Sequence, residues 1–179
     1  MNKNTHKITI IKASFKDVAR LQAIGKKTFV ETFSEVNTVD NMERYLNEGF
    51  SKEKLLSEMN TDGSVFYFAQ HQNQIVGYLK INTGHAQTEL QHEHTLEIER
   101  IYVLQKFQGL KIGQLLLEKA IEIAHQMKAQ SIWLGVWEEN HRAIRFYEKN
   151  GFVAFDKHIF RLGDDEQTDI MMKKNVGTN

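Results

Sequence analysis

The sequence predicts a mixed α/β domain in which short β-branched segments alternate with amphipathic helical segments. Short apolar runs rich in Val, Ile and Phe recur along the chain, and apolar residues at helical spacing lie between them. The length of 179 residues suits one ordinary domain whose hydrophobic core is large enough to be stable without disulfide bonds. We therefore expect a single domain over 1–179, with elements in the order βααα-βββ-α-β-α-ββ.

The first third of the chain predicts one strand followed by three helices. The segment Ile8–Ala13 is short and β-branched, as is typical of a strand. Ser14 and Asp17 form a capping-box pattern ahead of apolar residues at helical spacing, which predicts a helix to about Thr32. The next two helices are predicted over shorter stretches, Asp40–Leu46 and Lys52–Met59.

The middle of the chain predicts three consecutive strands. Ser64–Ala69 and Ile75–Ile81 are apolar segments joined by the short polar turn Gln72–Gln74, which is the pattern of a hairpin. After a polar stretch, Leu96–Val103 reads as a third strand. Strand alternation predicts that Glu97, Glu99, Ile101 and Val103 share one face.

The C-terminal half predicts a helix, a buried strand, a second helix and a closing hairpin. Gly109–Lys128 carries apolar residues along one helical face. Ile132–Val136 is almost continuously apolar, as expected of a strand covered on both sides. Asn140 caps the second helix. The last two strands are predicted over Phe152–Leu162 and Thr168–Lys174.

The composition excludes several classes of function. Lys and Arg together number 23, as do Asp and Glu, so the chain lacks a strongly basic nucleic-acid footprint. The absence of cysteine excludes disulfides, thiolate metal sites and a catalytic cysteine. No apolar run reaches the roughly 20 residues that cross a bilayer. We expect a cytoplasmic protein without membrane or nucleic-acid partners.

The turn between the third strand of the middle group and the long helix is the most informative segment. Gly109 and Gly113 lie where a strand ends and a helix begins. The first N–H groups of a helix lack internal partners and can bind a diphosphate, which glycines let approach closely. The same glycines could simply make a tight turn. The segment is neither a P-loop nor a dinucleotide fingerprint, since it lacks their further residues.

Two motifs together resemble the GCN5-related N-acetyltransferase (GNAT) family. The segment 108–113, Gln-Gly-Leu-Lys-Ile-Gly, resembles the family's acyl-CoA pyrophosphate loop, Gln/Arg-x-x-Gly-x-Gly/Ala. About thirty residues later, 140–152 is similar to its Asn-x-x-Ala-x-x-Phe-Tyr-x-x-x-Gly-Phe element. The resemblance implies the GNAT fold, a central mixed, mostly antiparallel sheet flanked by helices. Lys111 departs from it, because it stands where the family has its first loop glycine.

The resemblance also implies an acetyl-CoA-dependent N-acetyltransferase without a metal. Its cofactor-binding positions map onto Ile101, Val103, Gln108, Gly109, Leu110, Lys111, Ile112, Gly113, Gln114, Asn140 and Tyr147. Among these, the backbone of Ile101 and Val103 is expected to pair with the pantetheine arm. The N–H of Val103 is the expected oxyanion donor. Asn140 is expected to contact the cofactor, and its alternative role is that of a helix N-cap.

Acetylation of an amine requires a proton acceptor and a proton donor. A primary amine of pKa about 10.4 is almost fully protonated at neutral pH, so the site must remove a proton. Glu99 is the candidate base, with Glu97 as a less favoured substitute, and an ion pair with Arg100 is the alternative role of Glu99. Tyr147 is the candidate acid that protonates the departing thiolate. Its alternative role is that of an amphipathic core residue.

Further segments resemble one branch of the family, the bacterial polyamine acetyltransferases of the PaiA type. They are Thr28–Phe33, Glu99–Val103, Trp133–Glu138 and Gly163–Asp169. This resemblance implies a polyamine such as spermidine or spermine as acceptor, with Glu31 and Glu97 as substrate-binding residues. An acidic collar of Asp164, Asp165 and Glu166, joined by Glu31 and Asp40, would attract the cationic amine. Family members are often homodimers, and we expect one here.

Other functions remain open from the sequence. The acceptor could instead be an amino acid, an aminoglycoside, a protein lysine or a protein N-terminus. A GNAT-like module could also bind acyl-CoA as a sensor without catalysis, although Glu99 and Tyr147 stand at the matching positions. A regulatory protein that contacts DNA is disfavoured by the neutral charge. His92 and His94 suggest a metal site, but two histidines in a polar loop are more often solvent-exposed surface residues.

Overall fold

The computed structural model describes residues 8–89, 94–162 and 165–177. The strands in these ranges are β1 (Thr9–Lys12), β2 (Ser64–His71), β3 (Gln74–Thr83), β4 (Thr95–Val103), β5 (Ser131–Trp137), β6 (Val153–Leu162) and β7 (Asp165–Asn175). The helices are α1 (Val18–Phe33), α2 (Val39–Gly49), α3 (Lys52–Asn60), α4 (Ile112–Gln126) and α5 (His141–Lys149). Apart from short 3-10 turns, the predicted order of elements is confirmed.

One seven-stranded sheet organises the molecule. Its strand order is β1-β2-β3-β4-β5-β7-β6, and every neighbouring pair is antiparallel except β4 and β5. The parallel pair is short, since it joins only Thr95 to Ser131, Leu96 to Ile132 and Glu97 to Trp133. Beyond these residues β4 and β5 diverge. The sheet is therefore open in its middle, between the C-terminal ends of the two strands.

Each face of the sheet carries its own hydrophobic core. On one face, Leu116, Leu117 and Ala120 of α4 pack with Leu79 and Ile98 from the sheet. On the other face, α1 and α3 supply the packing surface against Phe68 and Tyr78, through Leu21, Phe29 and Leu55. Burying these apolar side chains on both faces is the main source of stability for such a layered fold.

The helix starts on the second face follow the sequence signals. Ser14 and Asp17 form the predicted capping box, although its first turn is 3-10 rather than α-helical. Thr38 and Ser51 cap α2 and α3 through their hydroxyls, which accept from Asn41 N–H and Lys54 N–H. Gly25 in α1 lets the Phe50 ring approach closely: a Cβ there would lie 2.5 Å from the ring.

The starts of α4 and β7 each differ from the predicted ones by three residues. Helix α4 begins at Ile112 rather than Gly109, because Gly109 (φ +86°) and Lys111 (φ +60°) adopt left-handed backbone that an α-helix does not contain. Strand β7 begins at Asp165, three residues before the predicted start. The predicted turn at 163–166 lies partly outside the described residues, which exclude 163 and 164.

The prediction that Glu97, Glu99, Ile101 and Val103 share one face of β4 is wrong, because the strand contains a β-bulge. Ile81 pairs with Ile98 and Lys80 pairs with Arg100, so Glu99 is the extra residue. The bulge interrupts the alternation of side chains. Consequently Ile101 and Val103 pack against the α4 core. Glu97 and Glu99 share the opposite face, where both contact Asn82.

None of the helices in the described ranges is long and apolar enough to cross a membrane.

Candidate active site

A cavity of about 1110 Å³ lies where β4 and β5 diverge. Its walls come from the two strands, the turn before α4, the start of α5, and aromatic residues of α1 and α2. The opening in the sheet thus connects the face covered by α4 and α5 with the face covered by α1 and α2. We call the part beside the turn before α4 the turn end, and the part beside α1 and α2 the acceptor end.

The turn end presents backbone N–H groups without side-chain caps. Lys111 occupies the N-cap position of α4 in left-handed conformation, and no side chain caps the helix there. A Cβ built on Gly109 or on Gly113 would meet no atom within 4 Å, so the space above both glycines is open. The N–H groups at the start of α4 are therefore available to an anion at the positive end of the helix dipole.

Cationic side chains border this turn. Arg142 at the start of α5 donates through Nη1 to Oε1 of Gln108, and Gln108 Nε2 donates to the Val103 carbonyl oxygen at 3.2 Å. Lys111 and Lys149 also line the cavity. Arg142 was not among the residues predicted from the sequence, although it stands two residues after Asn140 in the second motif. This end of the cavity suits a diphosphate.

Ten of the eleven predicted cofactor positions line the cavity; they are Ile101, Val103, Gln108, Gly109, Lys111, Ile112, Gly113, Gln114, Asn140 and Tyr147. The side chain of Leu110 is 60% exposed and does not line it. Asn140 acts as the N-cap of α5, because its Oδ1 accepts from Ala143 N–H at 3.1 Å. Gln114 Nε2 donates to Asn150 Oδ1 at 3.0 Å and so joins α4 to the end of α5.

The exposed edge of β4 directs backbone groups into the cavity. Leu104 N–H donates to the Val76 carbonyl oxygen at 2.9 Å, which directs this N–H toward β3. Hydrogen-bonding directions alternate along a strand, so the N–H of Val103 points the other way, toward the gap. An extended ligand can hydrogen-bond to this edge as an additional strand would.

Tyr147 places a neutral phenol in the cavity wall. Its side chain is 7% exposed and contacts the edges of the Phe146 and Phe152 rings. Burial raises the pKa of Tyr147 well above its usual value of about 10. The phenol is protonated at neutral pH, as an unperturbed tyrosine would also be, and so has a proton to donate.

Two glutamates face the acceptor end and share one amide. Asn82 Nδ2 donates to Glu97 Oε2 at 3.0 Å and to Glu99 Oε2 at 2.6 Å. Glu97 also accepts from the backbone N–H of Thr88 at 2.9 Å and from its hydroxyl. Burial raises the pKa of Glu97, and the hydrogen bonds from Thr88 and Asn82 only partly oppose this rise.

Glu99 is instead surrounded by cations. Its carboxylate pairs with Lys80 Nζ and with Arg100 Nη2 at 3.1 Å. Glu58 of α3 binds the same cations, with both of its oxygens on Arg100 at 2.9 and 3.0 Å. Burial alone would raise the pKa of Glu99, but the two cations outweigh it and lower the pKa. Glu99 is therefore held ionised, in the ion pair with Arg100 that the sequence suggested as its alternative role.

The predicted acidic collar is not assembled by the described residues. Glu31 lines the cavity, yet its Oε2 accepts from Gln105 N–H at 2.6 Å and fixes the turn that follows β4. Asp40 lies exposed in the first turn of α2, and Glu166 pairs with Arg161. Asp164 and the side chain of Asp165 lie outside the described residues, as does His92.

Other carboxylates line the acceptor end. Asp169 of β7 lies beside Gly135, and Glu89 hydrogen-bonds through Oε1 to His158 Nδ1 at 2.9 Å. Burial raises the pKa of Asp169, and His158 opposes the rise. Trp137 forms an aromatic wall, with its ring centroid 6.1 Å from that of Phe33 on α1. The sequence alone does not mark Asp169 as a site residue, because its spatial neighbours come from distant segments.

The comparisons with known proteins agree with this geometry. Residues 27–152 match the model of the acetyltransferase (GNAT) family. An uncharacterized N-acetyltransferase of Lactobacillus delbrueckii subsp. lactis is 40% identical over 167 residues, covering 93% of this chain and 96% of that protein. The spermidine N(1)-acetyltransferase of Thermoplasma acidophilum is 26% identical over 171 residues, covering 93% of this chain and 96% of that protein.

A solved structure shows the same architecture with a ligand. The PaiA N-acetyltransferase of Thermoplasma acidophilum, in complex with coenzyme A, superposes with a TM-score of 0.78 at 25% identity. The match covers 94% of this chain and 99% of that chain. The mixed, mostly antiparallel sheet flanked by helices is the architecture that the resemblance implied. Together, these observations show that the chain belongs to the GNAT family and is an acetyl-CoA-dependent N-acetyltransferase.

Proposed function

We propose that this acetyltransferase acts on a primary amine that carries further positive charge, most simply a polyamine such as spermidine or spermine. The observation that carries the proposal is the separation of charge along the cavity. Lys111, Arg142 and Lys149 lie at the turn end, which suits the anionic coenzyme. The carboxylates Glu89, Glu97 and Asp169 lie at the acceptor end, which favours a cation, whereas the charge of Glu99 is balanced by Lys80 and Arg100. The similarity to a spermidine acetyltransferase supports the same acceptor class.

The residues at the turn end fit acetyl-CoA. The open space above Gly109 and Gly113 and the uncapped N–H groups of α4 would hold the diphosphate, with Arg142 and Lys111 supplying charge. The strand edge at Ile101 and Val103 would hold the pantetheine arm. When bound, acetyl-CoA supplies the activated acetyl thioester. The N–H of Val103 is oriented to stabilise negative charge on a carbonyl oxygen in the gap.

The carboxylate pair is proposed to remove the proton from the acceptor ammonium. Glu99 is held ionised by Lys80 and Arg100, which makes it a weak base that fixes the local charge. Glu97 has a raised pKa and only neutral donors, so it is the stronger proton acceptor near neutral pH. We propose that Glu97 takes the proton through water and that Glu99 supports it through their common donor, Asn82.

Tyr147 is proposed to donate a proton to the departing thiolate. Its phenol is protonated at neutral pH, and its place in the cavity wall supports the role, although burial makes the phenol a weaker acid. We expect Tyr147→Phe to lower kcat at least about tenfold, which corresponds to about 1.4 kcal/mol, and to leave the Kd for acetyl-CoA within about twofold. Calorimetry and a thiol-release assay measure the two quantities. Phe146→Tyr, on the same helix, controls for disturbed packing. An unchanged kcat in Tyr147→Phe would refute the role.

A thiol-release assay over a panel of amines tests the acceptor. We expect the highest kcat/KM with spermidine, spermine and simple diamines, and lower values with monoamines of equal length. Preference for an amino acid, an aminoglycoside, or a peptide lysine or N-terminus would replace the polyamine by that acceptor. Acetyl-CoA binding without turnover on any amine would instead indicate a sensor and refute the catalytic proposal for this site.

A further inference from the structure

We propose that Asp169 forms a subsite that binds the second ammonium group of the acceptor and so selects diamines and polyamines over monoamines. The inference rests on the proposed function, because it concerns the acceptor end of the same cavity. The subsite consists of the Asp169 carboxylate, the clearance above Gly135 and the adjacent indole of Trp137. Its ligand is the ammonium group that does not react.

Each of the other described carboxylates that line the cavity forms a hydrogen bond or an ion pair with the protein, and Asp169 differs from them in this respect. Glu31 accepts from a backbone N–H, Glu89 bonds to His158, and Glu97 accepts from Thr88 and Asn82. Glu99 is paired with Lys80 and Arg100. In the described part of the chain, Asp169 forms neither a hydrogen bond nor a salt bridge, although the charge of His158 acts on it and Tyr45 lies within electrostatic range. A half-buried carboxylate without a partner is costly unless a cation binds to it.

The surroundings of Asp169 leave room for that cation. Asp169 pairs with Trp137 in the antiparallel register of β5 and β7. A Cβ built on Gly135 would lie 3.3 Å from Asp169 Oδ2, so the glycine keeps the space in front of the carboxylate clear. Trp137 adds an aromatic wall to the same space, and an indole attracts a cation through its face.

A second polar group in the cavity also lacks a protein partner. Among the residues that the structure describes, none hydrogen-bonds to the hydroxyl of Tyr78, although the side chain is only 1% exposed and lines the cavity. The nearby hydroxyl of Tyr45 lies within electrostatic range of both Asp169 and Glu99. A ligand that extends past Tyr78 would give its buried hydroxyl a hydrogen-bond partner, and a polyamine has the donors to do so.

The order of the strands separates Asp169 from the reacting centre. Strand β5 lies between β4 and β7, and neighbouring strands are about 4.8 Å apart, so the backbone of Asp169 is at least about 10 Å from that of Glu99. Strands β4 and β5 diverge here, which increases the separation. Asp169 is therefore too remote to deprotonate the reacting nitrogen beside β4. It suits a second nitrogen that a methylene chain separates from the first.

The test compares amines of equal length with one or two amino groups in the wild type and in Asp169→Asn. We expect the substitution to raise KM for spermidine and a diamine at least about tenfold, as for loss of a charge-assisted hydrogen bond, and to leave KM for the monoamine within about twofold. The Kd for acetyl-CoA should not change. Glu166→Gln, an exposed carboxylate elsewhere on β7, is the matched control and should change none of these values.

Two further results make the outcome decisive. Gly135→Ala keeps the charge but narrows the space, so it should also raise KM for the diamine more than for the monoamine. Asp169→Asn breaks no ion pair within the described residues, so it should fold, which its unfolding temperature checks. Equal losses on monoamines and diamines, or no loss on either, would overturn the subsite. A wild-type enzyme with no preference for diamines would instead refute the proposed polyamine function.

Discussion

Replacement of Lys111 by glycine should stabilise the protein and weaken coenzyme binding at the same time. Lys111 has φ +60° at the N-cap of α4, and left-handed backbone costs a side-chain-bearing residue about 1–2 kcal/mol. Glycine removes that cost but adds about 0.4–1 kcal/mol of entropy to the unfolded chain. The net gain in unfolding free energy is about 0.5–1 kcal/mol. For a chain of this size it raises Tm by about 1–4 °C.

Lys128 provides the matched control. It is also left-handed, with φ +56°, and it follows the C-terminal end of α4, about 22 Å along the helix from Lys111. Lys128→Gly should raise Tm by a similar amount, because the same backbone strain is relieved. It should leave the Kd for coenzyme A unchanged, because Lys128 does not line the cavity.

Calorimetry and thermal unfolding measure both effects on the two variants. Loss of one exposed cation beside a diphosphate should raise the Kd of Lys111→Gly about two- to fivefold at low salt. The increase should shrink at 0.5 M salt, because exposed charges are then screened. If Lys111→Gly lowered Tm while Lys128→Gly raised it, the left-handed assignment at 111 would be wrong. An unchanged Kd would refute placement of the diphosphate at this turn.

Three further predictions test the site and its support. Burial raises the pKa of Glu97, so the wild type should lose stability relative to Glu97→Gln as pH rises from 4 to 7. The two cations lower the pKa of Glu99, so the cost of Glu99→Gln in unfolding free energy should instead shrink as pH falls below about 5. Parallel pH dependences of the two variants in urea unfolding would contradict both assignments. Arg142→Gln should raise the Kd for coenzyme A about two- to fivefold at low salt, because Arg142 lines the cavity. Arg145→Gln, an exposed position on the same helix, should leave the Kd unchanged, and equal effects of the two variants would contradict a direct contact between Arg142 and the coenzyme. Gly25→Ala should lower Tm by at least about 3 °C, because the added Cβ would lie 2.5 Å from the buried ring of Phe50. An unchanged Tm would show that the ring moves aside freely.

Local sequence signals predicted the parts of the site that lie within one segment. The turn before α4 and the start of α5 are each continuous in sequence, so Gly109, Gly113 and Asn140 could be placed before their surroundings were known. The order of elements followed equally well from hydrophobic periodicity and capping patterns, such as the capping box of Ser14 and Asp17.

Features that depend on pairing between distant segments could not be predicted in the same way. The bulge at Glu99 is a property of the register between β3 and β4. Simple alternation therefore placed Glu97 and Glu99 on the same face of the strand as Ile101 and Val103, whereas they lie on opposite faces. Asn82 donates to Glu97 and to Glu99, which are 15 and 17 residues further along the chain. Nothing around Asn82 in the sequence marks it as the common donor of these two carboxylates. Asp169 meets Gly135 only because β7 returns beside β5.

The short pairing of β4 with β5 has a consequence for the protein in the absence of its ligands. Amide protons at Ile101 and Val103 lie in the middle of a seven-stranded sheet, yet the neighbouring strand does not protect them. Deuterium should therefore replace them much faster than it replaces the amide protons of β2. Saturation with coenzyme should slow this exchange at the centre of the sheet and leave the outer strands unaffected.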